Sequence, residues 1–126
     1  MSRIEHRVRY ADTDHFGVVY YSRYLEWFEA GRTEILREKG ITYAELEKKG
    51  MFAPVVEVKA NFLKPVHYDQ MLVIETSIGK IGNSSVRFDY KVFCKDVLVA
   101  EGYTVNVFVD KDMKPIKVPS EIQKIS

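Results

Sequence analysis

The sequence predicts an α+β fold: a five-stranded antiparallel sheet covered on one face by a long helix, with a short second helix. Three observations lead there. Tyr24, Phe28, Gly31 and Ile35 recur at steps of four, three and four, which is one apolar stripe of a helix. Five further segments alternate apolar and polar residues with the period of half-buried strands. An antiparallel sheet of this kind needs one face buried, and the striped helix is the only element able to cover it.

Taken in order, Arg3 to Tyr10 alternates, with Ile4, His6, Val8 and Tyr10 on one side and Arg3, Glu5, Arg7 and Arg9 on the other. This is a strand with a basic solvated face, and His6 on the apolar side reads as a packed residue. A polar turn with Asp12 and Asp14 follows, then the long helix from about Ser22, its expected N-cap, to Lys39, with Gly40 as the stop. Trp27 lies at the side of the stripe as a core or interface aromatic. Thr42-Tyr43-Ala44-Glu45 has capping-box spacing and opens a short helix that runs to Lys49 and stops at Gly50. The remaining strands are Phe52–Leu63, ended by Pro65, then Met71–Ile78, the run through Val86, Phe88, Tyr90 and Val92, and Val97–Val109, in an apparent meander. Residues 115–126 are polar and are expected to be a loosely held tail.

At 126 residues the chain is expected to form one domain over 1–126, large enough for a real core. Net charge is +1, from 19 basic and 18 acidic residues, and they are mixed along the chain rather than gathered into the basic face that nucleic acid requires. The N-terminal residues Met1 to Glu5 lack the apolar centre of a secretory signal, and no apolar run approaches a membrane span. One cysteine, Cys94, cannot close an internal disulfide, and its strand context marks it as a core or edge thiol. The expected setting is cytoplasmic.

The chemistry concentrates in Tyr10 to Arg32, YADTDHFGVVYYSRYLEWFEAGR. A carboxylate placed just before a helix can act on a substrate whose developing oxyanion is held by the open N–H groups of the first helical turn. Read from spacing alone, Asp12 and Asp14 are in the first place aspartates that bond the N–H groups of their own turn. Asp12-x-Asp14 also begins like a calcium loop, but Phe16 and Arg23 stand where further oxygen ligands belong, and no Cys/His cluster points to zinc. No metal or redox cofactor is implied.

Two segments carry a family pattern: Asp12-Thr13-Asp14, two spacers, Gly17-Val18-Val19-Tyr20, then Tyr24, Phe28, Glu29 and Arg32; and Phe62-Leu63-Lys64-Pro65-Val66-His67-Tyr68-Asp69. Together with length and element order they resemble the 4-hydroxybenzoyl-CoA thioesterase family, including the acyl-CoA thioesterases encoded with the Tol-Pal system. The resemblance covers nearly the whole chain. It implies the hotdog fold, subunits that pair edge to edge into dimers and often tetramers, and hydrolysis of an acyl-CoA to free acid and CoA.

The resemblance also places the catalytic carboxylate on Asp14, as nucleophile or general base, and the oxyanion donor on the backbone N–H near Tyr21. Gly17 lets the loop pass close to the acyl group, and Val18 and Tyr20 are expected beside it. Asp12 keeps its turn role. Tyr21 departs from the Tol-Pal-associated members, which commonly carry His there, and so weighs against a His-assisted step. His15 stands beside Asp14 in sequence. Lys64 is a candidate for a CoA phosphate by point-charge attraction, with Lys59, Lys80 and Arg87 as further cations. His67 reads as a surface residue, and Glu29 and Arg32 as structural helix charges. The competing readings are a protein that holds acyl-CoA or acyl carrier protein without turnover, and a dehydratase, which wants a His that this chain lacks.

Overall fold

The structure, a computed structural model, describes residues 1–124. Strand β1 (Ser2–Arg7) leads through a single 3-10 turn (Tyr10–Asp12) and a loop into α1 (Tyr21–Glu38) and α2 (Tyr43–Lys48). Then come β2 (Val55–Phe62), β3 (Met71–Ile81), β4 (Ser85–Cys94), β5 (Val97–Val107) and a short α3 (Ser120–Gln123). All five strands form one antiparallel sheet in the order β1-β3-β4-β5-β2. This is the hotdog architecture, with α1 lying in the curve of the sheet. Among the described residues, no helix is long and apolar enough to cross a membrane.

The stripe predicted for α1 is the buried face: Tyr24, Phe28, Gly31 and Ile35 are all inside, joined by Trp27 and Leu36. Phe28 stacks flat on Tyr90 of β4, ring centroids 4.2 Å apart and planes 5° from parallel. Gly31 sits over β3; a Cβ there would stand 2.2 Å from the Thr76 Oγ1. The missing side chain therefore sets how low the helix lies on the sheet. Below it, β3 and β4 contribute alternate residues (Leu72, Ile74; Val86, Phe88, Tyr90, Val92) to one core.

Three expectations are corrected. The chain after α2 is not a simple meander: β3, β4 and β5 are, but β2 pairs with β5 at the far edge. Alternation shows which residues share a face, and carries no information on which strand lies next to which. The chain must therefore cross the end of the sheet between Phe62 and Met71, and the buried Val66 anchors that crossing. Second, α1 starts at Tyr21 with Tyr20 as N-cap, and no side chain caps it. Third, the C-terminal segment is held rather than loose. Pro115 bridges Val109, the Val118 N–H donates to the Asn83 carbonyl at 2.8 Å, and Val118 and Ile122 are buried in the core. Residues 125–126 of that expected tail lie outside the described residues.

Candidate active site

The loop between the 3-10 turn and α1 is fastened at its base. Thr13 and Val19 form an isolated antiparallel bridge. The Tyr20 N–H donates to the Asp12 carbonyl at 3.1 Å, and the Val19 N–H donates to the Val66 carbonyl at 2.9 Å. Val18 bridges His67, so the crossing segment of the second sequence motif lies against the first. Gly17 turns the loop at φ +78°, a left-handed conformation that glycine adopts without steric cost.

Asp14 divides its two oxygens. Its Oδ1 accepts the N–H groups of Phe16 (2.8 Å) and Val18 (3.2 Å), the turn-holding role that spacing alone suggests. No described residue donates to its Oδ2, and the side chain borders a cleft with Tyr10, Thr13, His15, Gly17 and Tyr68. His15 borders the same cleft with its ring packed on Phe16, centroids 4.7 Å apart, and no hydrogen bond joins it to Asp14 among the described residues.

The start of α1 is open. Tyr20 is extended (φ −64°, ψ 141°), and its carbonyl takes the Arg23 N–H at 3.1 Å. The N–H groups of Tyr21 and Ser22 have no partner among the described residues. Unpaired first-turn donors carry the positive end of the helix dipole and suit an anion. A Ser N-cap would have taken up one of them, so the absence of the expected cap is what leaves this end available. Val18 and Tyr21 line a second cleft here, with Tyr24, Phe62 and the crossing residues Leu63 to Val66. Phe62 closes its floor, 4.4 Å from the Tyr21 ring and 4.9 Å from that of Tyr24.

The expected site residues thus fall in two neighbouring clefts, Asp14 and Gly17 in one, Val18, Tyr21 and Lys64 in the other. The Val18 N–H on Asp14 joins them. Tyr20 lines neither; its half-exposed ring stands at the helix start. Lys64 is the cation bordering the helix-start cleft. Lys59 and Arg87 are removed from it: they line a groove on the helix-free face, where Arg87 pairs with Asp89 at 2.9 Å and lies over Tyr103. Glu29 and Arg32 make no ion pair with each other; they border a third cleft between α1 and β2. His67 is exposed, as expected.

Sequence reasoning missed a cluster directly under the loop. Asp12 is buried, 6% exposed. Its Oδ2 meets the His6 Nε2 at 3.0 Å and accepts the Arg9 N–H at 2.9 Å, while its Oδ1 lies 3.7 Å from the Arg23 Nε. Burial by itself would raise the Asp12 pKa, but the His6 and Arg9 hydrogen bonds and the charges of His6 and Arg23 outweigh it and hold the carboxyl below its ordinary value. One signal was present in the sequence: Arg23 is a cation in the first turn of a helix, where the dipole disfavours it, so a tertiary partner was to be expected.

A model of the thioesterase-like superfamily matches residues 8–125. The chain belongs to that superfamily. Among curated members, YneP of Bacillus subtilis is 35% identical over 119 residues, covering 93% of this chain and 86% of its own length. The acyl-CoA thioesterase YbgC of Haemophilus influenzae is 32% identical, covering 93% and 88%. Among solved structures, a DHNA-CoA thioesterase from Staphylococcus aureus superposes with a TM-score of 0.93 at 29% identity, over 98% of this chain and 89% of that one. Membership in the thioesterase superfamily makes this chain a thioester hydrolase by class, and both the fold and the family resemblance read from the sequence hold.

Proposed function

We propose that the chain hydrolyses acyl-CoA thioesters, with Asp14 as the attacking or proton-abstracting carboxylate and the start of α1 as the oxyanion site. One observation carries this reading: a carboxylate oxygen without a partner among the described residues stands on a loop that leads, within seven residues, to a helix start whose first two N–H groups are likewise open among them. Thiolate leaves readily, so a single carboxylate and an oxyanion site suffice for a thioester. The names of the thioesterase relatives support the same substrate class.

Lys64 at the rim of the helix-start cleft would meet a CoA phosphate, so Lys64→Ala raises KM and leaves kcat near wild type. The free edge of β2 supports pairing of two copies, because Val56, Val58, Phe62 and Leu63 are all exposed along it. A second sheet edge there would wall the groove between α1 and β2. Sedimentation over a range of concentrations tests this; a monomer throughout would reject it.

The deciding measurement is thiol release over a panel of acyl-CoA substrates with wild type and Asp14→Asn. The variant loses at least about a hundredfold in rate, the order expected when a general base is removed. Near wild-type turnover in Asp14→Asn would take that residue out of the mechanism. Acyl-CoA binding without CoA release would make the protein a carrier. Single turnover in labelled water separates the two roles of Asp14: water that opens an anhydride at the Asp14 carbonyl leaves solvent oxygen in Asp14, whereas general-base attack of water on the thioester leaves it only in the product acid.

A further inference from the structure

Asp12 stands where three elements meet. From β1 comes the His6 ring, itself packed 5.1 Å from Trp27, and just after that strand the Arg9 N–H. From the first turn of α1 comes Arg23, whose guanidinium donates to the Ala11 carbonyl at 3.1 Å and to Glu26 at 3.0 Å. From the end of the loop comes the Tyr20 N–H, on the Asp12 carbonyl. Asp12 and its neighbour Ala11 therefore hold both ends of the segment that carries Asp14. One end is the strand from which the loop departs. The other is the helix start where the open N–H groups lie.

We infer that Asp12 is a positioning residue for the hydrolysis: its buried carboxylate, held by His6, Arg9 and Arg23, fixes the separation between the Asp14 carboxylate and the N–H groups of Tyr21 and Ser22. This rests on the proposed thioesterase reading and extends it to residues that touch no substrate. The other loop ties, Thr13 to Val19 and Val18 to His67, close the loop upon itself and upon the crossing segment. Neither binds α1. The ties from Asp12 and Ala11 are the ones that set the loop against the helix. A displacement of about 1 Å between a reacting group and its oxyanion donor costs on the order of a hundredfold in rate. Since the misplacement matters most at the transition state, it should appear in kcat more than in KM.

The test uses thiol release and thermal melting on the same set of variants. Asp12→Asn keeps the shape and an acceptor for Arg9 while removing the charge that faces His6 and Arg23. It lowers kcat by about ten- to a hundredfold, with KM within about twofold of wild type. His6→Phe keeps a ring against Trp27 and removes the donor; kcat falls about tenfold. His6→Gln returns an N–H to Asp12 and recovers most of that loss, at the same melting temperature as His6→Phe. Arg23→Gln covers the case in which Asp12→Asn fails to fold. The inference is overturned if Asp12→Asn and His6→Phe keep wild-type kcat and only melt earlier, or if His6→Gln restores nothing. These results differ from failure of the thioesterase reading itself, in which wild type releases no CoA or Asp14→Asn is as active as wild type.

Discussion

Gly31→Ala tests how α1 is seated on the sheet, and Thr76 decides its sign. The added Cβ would lie 2.2 Å from the Thr76 Oγ1, whereas real Cβ contacts stay beyond 3.0 Å, so the helix or Thr76 must yield by about 0.8 Å. The site is buried, and overpacking of this kind costs about 1–3 kcal/mol. Against it stands the helix preference of Ala over Gly, about 1 kcal/mol. The single variant is therefore destabilised by up to about 2 kcal/mol. In a Thr76→Ala background the clashing oxygen is gone, and the nearest atoms are the Ile74 Cγ2 and the residue-76 Cβ, both at 3.5 Å, which is ordinary contact. The Thr76 Oγ1 is buried without a hydrogen-bond partner, so removing it breaks no bond. In that background Gly31→Ala becomes stabilising by about 1 kcal/mol. The four proteins of the cycle are compared by urea unfolding at one protein concentration, with melting temperatures expected to move about 3–5 °C per kcal/mol. An equal penalty for Gly31→Ala in both backgrounds would refute the reasoning, because the obstruction would then not be Thr76.

Other perturbations have different expected signs. Gly102→Ala on β5 would place a Cβ 2.1 Å from the Lys59 backbone carbonyl on β2; backbone cannot rotate away, so β2 loosens and its amides lose hydrogen-exchange protection before those of β4. The Tyr43 hydroxyl is buried, and burial pushes its pKa to about 12, with the charge and hydrogen bonding of Arg32 opposing the rise. Tyr43→Phe removes this titration and should change stability at neutral pH by less than about 1 kcal/mol. Because the raised pKa favours the neutral phenol, this residue's contribution is full below about pH 10 and is lost as pH rises toward the folded value, so the variant also has a shallower alkaline limb in urea titrations. Asp12 has the opposite sign: its depressed pKa gives stability that is full above about pH 4 and lost as pH falls through the folded-state value. Asp12→Asn should remove that part of the acid limb while leaving the alkaline limb unchanged.

Much of the fold follows from local chemistry. The α1 stripe, the strand alternation and the glycine stops are all set by residues within a few positions of one another. Gly40 and Gly50 do end their helices at φ near +80°. Asp14 and Gly17 were legible for the same reason, since an aspartate three residues before a left-handed glycine marks a tight loop whatever surrounds it. The Asp12 cluster was not. His6 shows in sequence only as one more inward residue of a strand, Asp12 as one more turn aspartate, and Arg23 as one helix cation in an unfavourable place. Their meeting depends on β1, the loop and α1 arriving together. The placing of the cations was equally hidden: Lys59, Lys64 and Arg87 are similar in sequence, and only the folded chain sets Lys64 at the helix-start cleft and the other two on the opposite face of the sheet.

By itself the sequence determined the type of each main element, the buried face of the long helix and the tight turn from Asp14 to Gly17, because periodicity and backbone preference act over a turn or two. The tertiary structure decided the order of the strands, the placing of β2 at the far edge, the anchoring of the C-terminal segment and the bare start of α1. Those outcomes turn on which surfaces meet and which polar groups find partners. An alternating strand buries the same side chains whichever neighbour it takes, so its pattern leaves that choice to the packing of the whole chain.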